Sequence, residues 1–168
     1  MRRYGLWVLI LMTILSGCAL WEEPSAAPLP PLTLEPEPTL IFEGNCNNNR
    51  ALADWLQYST YYVEQFAELV TTTAAGDRAT SRAGVVEIAA LREEYAQVET
   101  PNCAEPGQLM FMNAISRAIN TFQRYANGET DGLDNLLPEI LGEIDRINLV
   151  QDELRARLNA QLEQPAEE

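Results

Sequence analysis

Carboxylates are the most abundant reactive groups in this chain. Glu139, Glu143 and Asp145 cluster in one helical stretch, where Glu139 and Glu143 stand four apart on one face. Glu87 and Glu94 stand seven apart and share a face of another stretch. Glutamates so placed hold di-iron centres in helical bundles, but that chemistry needs a Glu-x-x-His on two helices and the chain has no histidine. The clusters therefore read as solvated acidic faces, favoured near a helix start by the macrodipole. The serines are Ser16, Ser25, Ser59, Ser81 and Ser116, and with no His or Lys none has a usual base. Ser59 falls on a core stripe, where its hydroxyl can bond back to the preceding turn. The run Asn127–Gly132 (NGETDG) opens like an EF-hand loop, but its twelfth place falls on Pro138, where a bidentate Glu is required. It reads as a helix–helix turn. No catalytic residue, metal ligand or cofactor site is expected. One aromatic-rich stretch remains, Trp55, Tyr58, Tyr61 and Tyr62. Part of it belongs to the core, and Tyr58 and Tyr61 form a candidate contact patch for a partner.

The charge balance narrows the partners. There are 11 basic and 25 acidic residues, and every basic residue is an arginine. A surface so acidic repels phosphates, which excludes nucleic acid and keeps the body off anionic headgroups. The absence of Lys and His is most simply a bias of composition.

Helical periodicity organises the chain from about residue 49 onward. An asparagine-rich turn at 45–49 precedes a first helix expected over 49–74. Its apolar positions are Leu52, Trp55, Leu56, Tyr62, Val63, Phe66, Leu69 and Val70, and Gly76 is a stop. A second helix is expected over 78–98, with Val85, Ile88, Leu91, Tyr95 and Val98 on one face, closed by Thr100-Pro101. Asn102 with Glu105 offers a capping box for the third helix, unless its start slips to Pro106. Met112, Ile115, Ala118, Ile119, Phe122 and Tyr125 form its apolar face, and Asn113, Arg117, Asn120 and Arg124 a polar stripe read chiefly as solvated surface, with contact to acidic residues of a neighbouring helix or of a partner as the alternative. In the fourth helix Leu137, Ile140, Ile144, Ile147, Leu154 and Leu158 follow a heptad that Gln151 interrupts. Pro138 fits best in its first turn, with a short turn over 131–134 before it. Nothing reads as a strand. The fold class is all-α, an antiparallel up-down-up-down four-helix bundle over 45–163, with a disordered tail at 164–168.

The first residues carry a different pattern. Met1-Arg2-Arg3 is a charged start, Leu6–Leu15 an apolar run too short to span a bilayer, and Leu15-Ser16-Gly17-Cys18 closes it. That last tetrad resembles the lipobox of bacterial lipoproteins. The resemblance implies a signal peptide over 1–17, cleavage before Cys18, a diacylglyceryl thioether on that cysteine and acylation of the new amine. Several acyl chains suffice for stable anchoring. Cleavage would leave 9 basic against 25 acidic residues, a formal charge of −16. Ala19 is not the aspartate that, in the lipoprotein family, favours inner-membrane retention. The expected location is the outer face of the cell membrane, or an outer membrane where the host has one. Residues 18–44 hold six prolines between Pro24 and Pro38 and read as an extended tether contributing no core residues.

Two cysteines remain in the body. Export exposes them to an oxidising compartment, and an antiparallel bundle puts the start of helix 1 at the same end as the helix 2–helix 3 loop. Cys46 and Cys103 are therefore expected to pair, at the end that receives the tether. The leading expectation for function is a membrane-anchored, non-enzymatic binding or scaffold module, with the membrane and a protein or envelope component as partners. The alternatives are a small-ligand carrier with a cavity between helices, and a carboxylate-based envelope enzyme such as a glycosidase.

Overall fold

The computed structural model describes residues 32–33, 46, 48–134 and 137–163. The leader, Cys18, most of the tether and the tail at 164–168 lie outside the described residues. Within them the chain forms four long helices: α1 (Asn49–Ala74), α2 (Arg78–Tyr95), α3 (Glu105–Ala126) and α4 (Leu137–Glu163), with a 3₁₀ turn at Asn102–Ala104. No strand occurs among the described residues.

Each start has a local cause. The Asn48 side chain accepts from the Ala51 N–H at 3.0 Å and Asp77 accepts from the Thr80 N–H at 2.9 Å, each satisfying a donor that the helix leaves free. The bonds from the Thr80 N–H and hydroxyl also hold the Asp77 carboxyl below its ordinary range. The expected capping box is absent: Asn102 lies in the 3₁₀ turn, and α3 begins at Glu105 with Pro106 in its first turn. Pro106 needs no amide there, so the start slips to it. Pro138 likewise occupies the first turn of α4. The second helix ends three residues short of the expectation, because Ala96–Val98 close in turns onto Arg92, Glu94 and Tyr95.

The helices run up, down, up, down. Each packs on its chain neighbours, α4 closes against α1, and α1 also meets α3 across the diagonal. Gly84 lets α2 approach α1 closely, since a Cβ there would strike the Thr73 side chain. One cluster, with Phe66, Tyr95, Phe111 and Phe122, fills the middle and the end near Gly76. A second, with Leu52, Trp55, Leu56, Val150, Leu154 and Leu158, fills the other end. Gln151 is buried between α1 and α4. It gives its Nε2 to Ser59 Oγ at 3.1 Å and takes a bond from Thr60 Oγ1 at 3.2 Å, which satisfies the polar break in the heptad. Ser59 also bonds back to the Leu56 carbonyl at 3.4 Å.

Two expectations need correction. The polar stripe of α3 is solvated only in part, and at Arg117 it takes the alternative of contact with a neighbouring helix. Arg117 pairs with Glu143 of α4 at 3.0 Å, Arg124 with Glu129 at 3.6 Å, and Asn113 is buried. Nor is the tether free of the body. Leu32 packs against the main core cluster, and Asn120 reads its backbone twice: the Leu32 N–H donates to Oδ1 at 2.9 Å and Nδ2 donates to the Leu32 carbonyl at 3.0 Å. A side-chain amide is a donor and an acceptor side by side, so it can pair with an extended residue as a neighbouring strand would. At Leu32 the tether thus meets the bundle on α3, away from the disulfide end. Asn120→Ala is expected to cost about 0.5–1.5 kcal/mol of stability, the ordinary net worth of such bonds. A chain beginning at Ile41 should lose at least as much. Thermal melts that coincide with the parent would show that the Leu32 contact contributes nothing.

Candidate functional site

A surface groove of about 560 Å³ lies between the start of α1 and the end of α2. Trp55, Tyr58, Tyr62 and Asp54 line it from α1, and Glu94, Gln97, Val98 and Glu99 from the end of α2 and the loop beyond. Antiparallel pairing sets this register: the Tyr62 and Tyr95 rings meet edge to face at 5.4 Å. Helical spacing then puts Trp55, Tyr58 and Tyr62 on the side of α1 that borders α2. Trp55 is almost wholly buried and gives the groove one edge of its indole, while Tyr58 is 55% exposed on the rim.

The disulfide stands at the same end. Cys46 and Cys103 are bonded with their Cα atoms 5.5 Å apart, within the span that a disulfide accepts. Cys46 lies two residues before Asn48, and Cys103 four after Glu99, so the bridge ties the two walls of the groove together. Disulfides form and persist in oxidising compartments, which makes the body extracytoplasmic.

Of the two tyrosines expected as a contact patch, Tyr58 lines the groove. Tyr61 does not; it stands beside it, 56% exposed, with its ring 5.4 Å from that of Tyr62. The groove also uses Asp54, Glu94 and Glu99, which the sequence reading did not connect with the tyrosines. By helical spacing alone, Glu94 is a partner of Glu87 on a solvated face. Nothing local joins residue 54 to residue 94; the packing of α1 on α2 does. Cys18, the expected lipidation site, lies outside the described residues.

The electrostatics of the site favour neutral phenols. Burial, with Glu94 and then the neighbouring tyrosines adding to it, raises the Tyr62 phenol above its ordinary value. Tyr95, behind it, is fully buried, and burial raises its phenol strongly. The Trp55 indole lies alongside the Tyr95 hydroxyl but donates its N–H to Gln108 Oε1 at 3.2 Å, and the hydroxyl has no partner among the described residues. Two expectations follow. Tyr95→Phe should leave stability unchanged or raise it by up to about 1 kcal/mol, because it removes a buried polar atom that makes no bond. A clear fall in melting temperature would reveal a bond to that hydroxyl. Both phenols titrate higher folded than unfolded, so their contribution is complete below pH ~10 and is lost as pH rises beyond it. Melts recorded between pH 8 and 12 check the direction.

Two further cavities open at the surface. One, between α3 and α4, is little larger than a water; the other, about 270 Å³, lies beside the disulfide near Leu154 and Arg157. Among the described residues no group of three or more Cys, Asp or Glu could hold a metal ion, and no helix is long and apolar enough to cross a membrane. No family model, curated protein or solved structure matches the chain. The fold and site together define a disulfide-bonded helical bundle with an acidic, aromatic groove open at one end.

Proposed function

We propose that this chain is an extracytoplasmic lipoprotein, held on a membrane by lipid on Cys18, whose bundle binds a protein or envelope partner without catalysing a reaction. The observation that carries the binding half is the open groove with Tyr58 on its rim. Large tyrosines left in water next to a concave, half-buried aromatic surface are what recognition sites use, since they bring contact area at little entropic cost. The anchoring half rests on the resemblance of Leu15-Ser16-Gly17-Cys18 to a lipobox, and the disulfide agrees with export. A carrier function fits less well, because Trp55, Phe66, Tyr95, Phe111 and Phe122 fill the bundle interior and the cavities described open at the surface.

The Leu32 contact sets the reach of the anchor. At about 3.1 Å per residue of extended chain, the 14 residues from Cys18 to Leu32 hold the bundle within roughly 43 Å of the membrane. Had the tether run free to Cys46, that span would be about twice as long.

Two measurements test the reading. Cys18→Ala should move the protein from the detergent phase to the aqueous phase in phase partitioning; unchanged partitioning would sink the lipoprotein assignment. A photoreactive amino acid at position 58 should give a discrete crosslinked species in intact cells. The same group at Leu149, exposed on α4, should not. Equal or absent crosslinking from the two positions would remove the groove as the contact surface.

A further inference from the structure

The groove has more than shape. Asp54, Glu94 and Glu99 bring three carboxylates to it, against a single basic residue, Arg50. Arg50 hardly neutralises them. Its guanidinium stands 4.0 Å from Asp54, at the outer limit of an ion pair, and its side chain is 92% exposed. Pairs of that kind contribute little or nothing. Four arginines elsewhere stand against carboxylates: Arg117 with Glu143, Arg124 with Glu129, Arg155 with Asp152 and Arg157 with Glu153. Glu94 and Glu99 have no such cation among the described residues. Part of the acidic excess of the chain is thus left unneutralised beside these aromatic rings.

We propose that this groove receives a basic side chain, arginine in preference to lysine, carried on an exposed segment of a partner protein. The proposal rests on the groove being the contact surface and names what it recognises. Aromatic rings attract a cation through their quadrupole, and a guanidinium can also stack on a ring while forking a carboxylate, which an ammonium cannot. The fold already makes such a contact internally, with the Arg78 guanidinium carbon 5.7 Å from the centre of the Tyr125 ring. Tyr62, neutral like any phenol well below pH ~10, adds a hydroxyl donor and no competing charge.

The form of the site favours a side chain over a free small molecule. Small-molecule pockets bury most of their ligand. Here the walls are open, with Tyr58 more than half exposed and the Asp54 side chain 61% exposed. A side chain brings its own lid, because the partner's surface covers the rim once the tip is seated. The negative field of the whole body would draw a basic segment in before contact, and salt would weaken that attraction.

The test uses the full exported chain, isotope-labelled, titrated with nine-residue peptides of alanine, glycine and serine that carry arginine, lysine, glutamine or glutamate at the centre. Amide shifts should saturate with the arginine peptide and cluster over Asn48–Tyr62 and Gln97–Glu99. The lysine peptide should bind more weakly, and the glutamine and glutamate peptides not at all. Tyr58→Ala and Glu94→Gln should each weaken arginine-peptide binding about threefold to tenfold, and Asp145→Asn on α4 should not. The same spectra report whether each variant is folded. Shifts spread over the whole acidic surface, equal binding of the glutamine peptide, or equal weakening by Asp145→Asn would overturn the proposal. Crosslinking from position 58 in cells without arginine selectivity in the titration would keep the contact surface and overturn its assignment to a basic side chain. Arginine selectivity without crosslinking would support the chemistry of the groove and sink its use by a partner.

Discussion

Replacing Cys46 and Cys103 together by serine is expected to cost the bundle about 2–5 kcal/mol. The bridge closes a loop of 57 residues, and the chain-entropy model puts the constraint lost from the unfolded state at about 4 kcal/mol. Little of that is recovered in the folded state, where both cysteines pack against the cluster of Leu52, Trp55 and Leu154. The helices need not disappear, because their apolar stripes survive the change. Urea unfolding should show a lower midpoint, with far-UV circular dichroism in buffer close to that of the parent. The groove should suffer more than the helices. Without the bridge, the start of α1 and the loop at 96–101 lose their covalent tie, and both supply walls of the groove. Peptide mapping under non-reducing conditions is the direct check on the pairing. An unchanged unfolding midpoint would mean that non-covalent packing alone holds this end.

Much of this architecture was legible in the sequence, for identifiable reasons. The first helix has the expected bounds because its apolar spacing, the asparagine cap and Gly76 agree. The pairing of Cys46 with Cys103 followed from the expected oxidising compartment together with antiparallel order. Pro138 fell in a first turn because a proline tolerates that place and few others in a helix. The errors lie where tertiary contact overrides local pattern. Val98 continues the apolar period of α2, yet it packs against both clusters from a turn. Phe111 is wholly buried but adjoins the predicted face of α3, because that helix meets α1 as well as its neighbours and needs a wider apolar surface. Gln151 looked like a flaw in a heptad, and its partners Ser59 and Thr60 lie over 90 positions away. The capture of Leu32 by Asn120 spans 88 positions with no periodic signal at either end. The groove was half visible: exposed tyrosines can be guessed from helical spacing, whereas their acidic companions required the α1–α2 register.

Trp55→Ala is expected to destabilise the protein by about 3–5 kcal/mol, the usual range for truncating a buried aromatic. Trp55 is 1% exposed and holds several elements at once. Its ring lies over Gly107 of α3, where an added Cβ would come within 3.2 Å of the indole and 3.1 Å of Val150 on α4. Its N–H bonds to Gln108 at 3.2 Å, and its edge forms part of the groove between α1 and α2. A cavity at that junction cannot close by movement of one side chain, since the disulfide, α3 and α4 fix its sides. Trp55→Phe gives the comparison. It keeps a ring against Gly107 and surrenders the bond to Gln108, which is partly exposed and can turn to water. Its cost should therefore be smaller, about 1–2 kcal/mol. The ordering of the two midpoints in urea, alanine well below phenylalanine and phenylalanine below the parent, separates packing from hydrogen bonding. Equal losses would place the stabilisation in the hydrogen bond. A negligible loss for alanine would contradict the packing of this end of the bundle, and with it the wall that the groove needs.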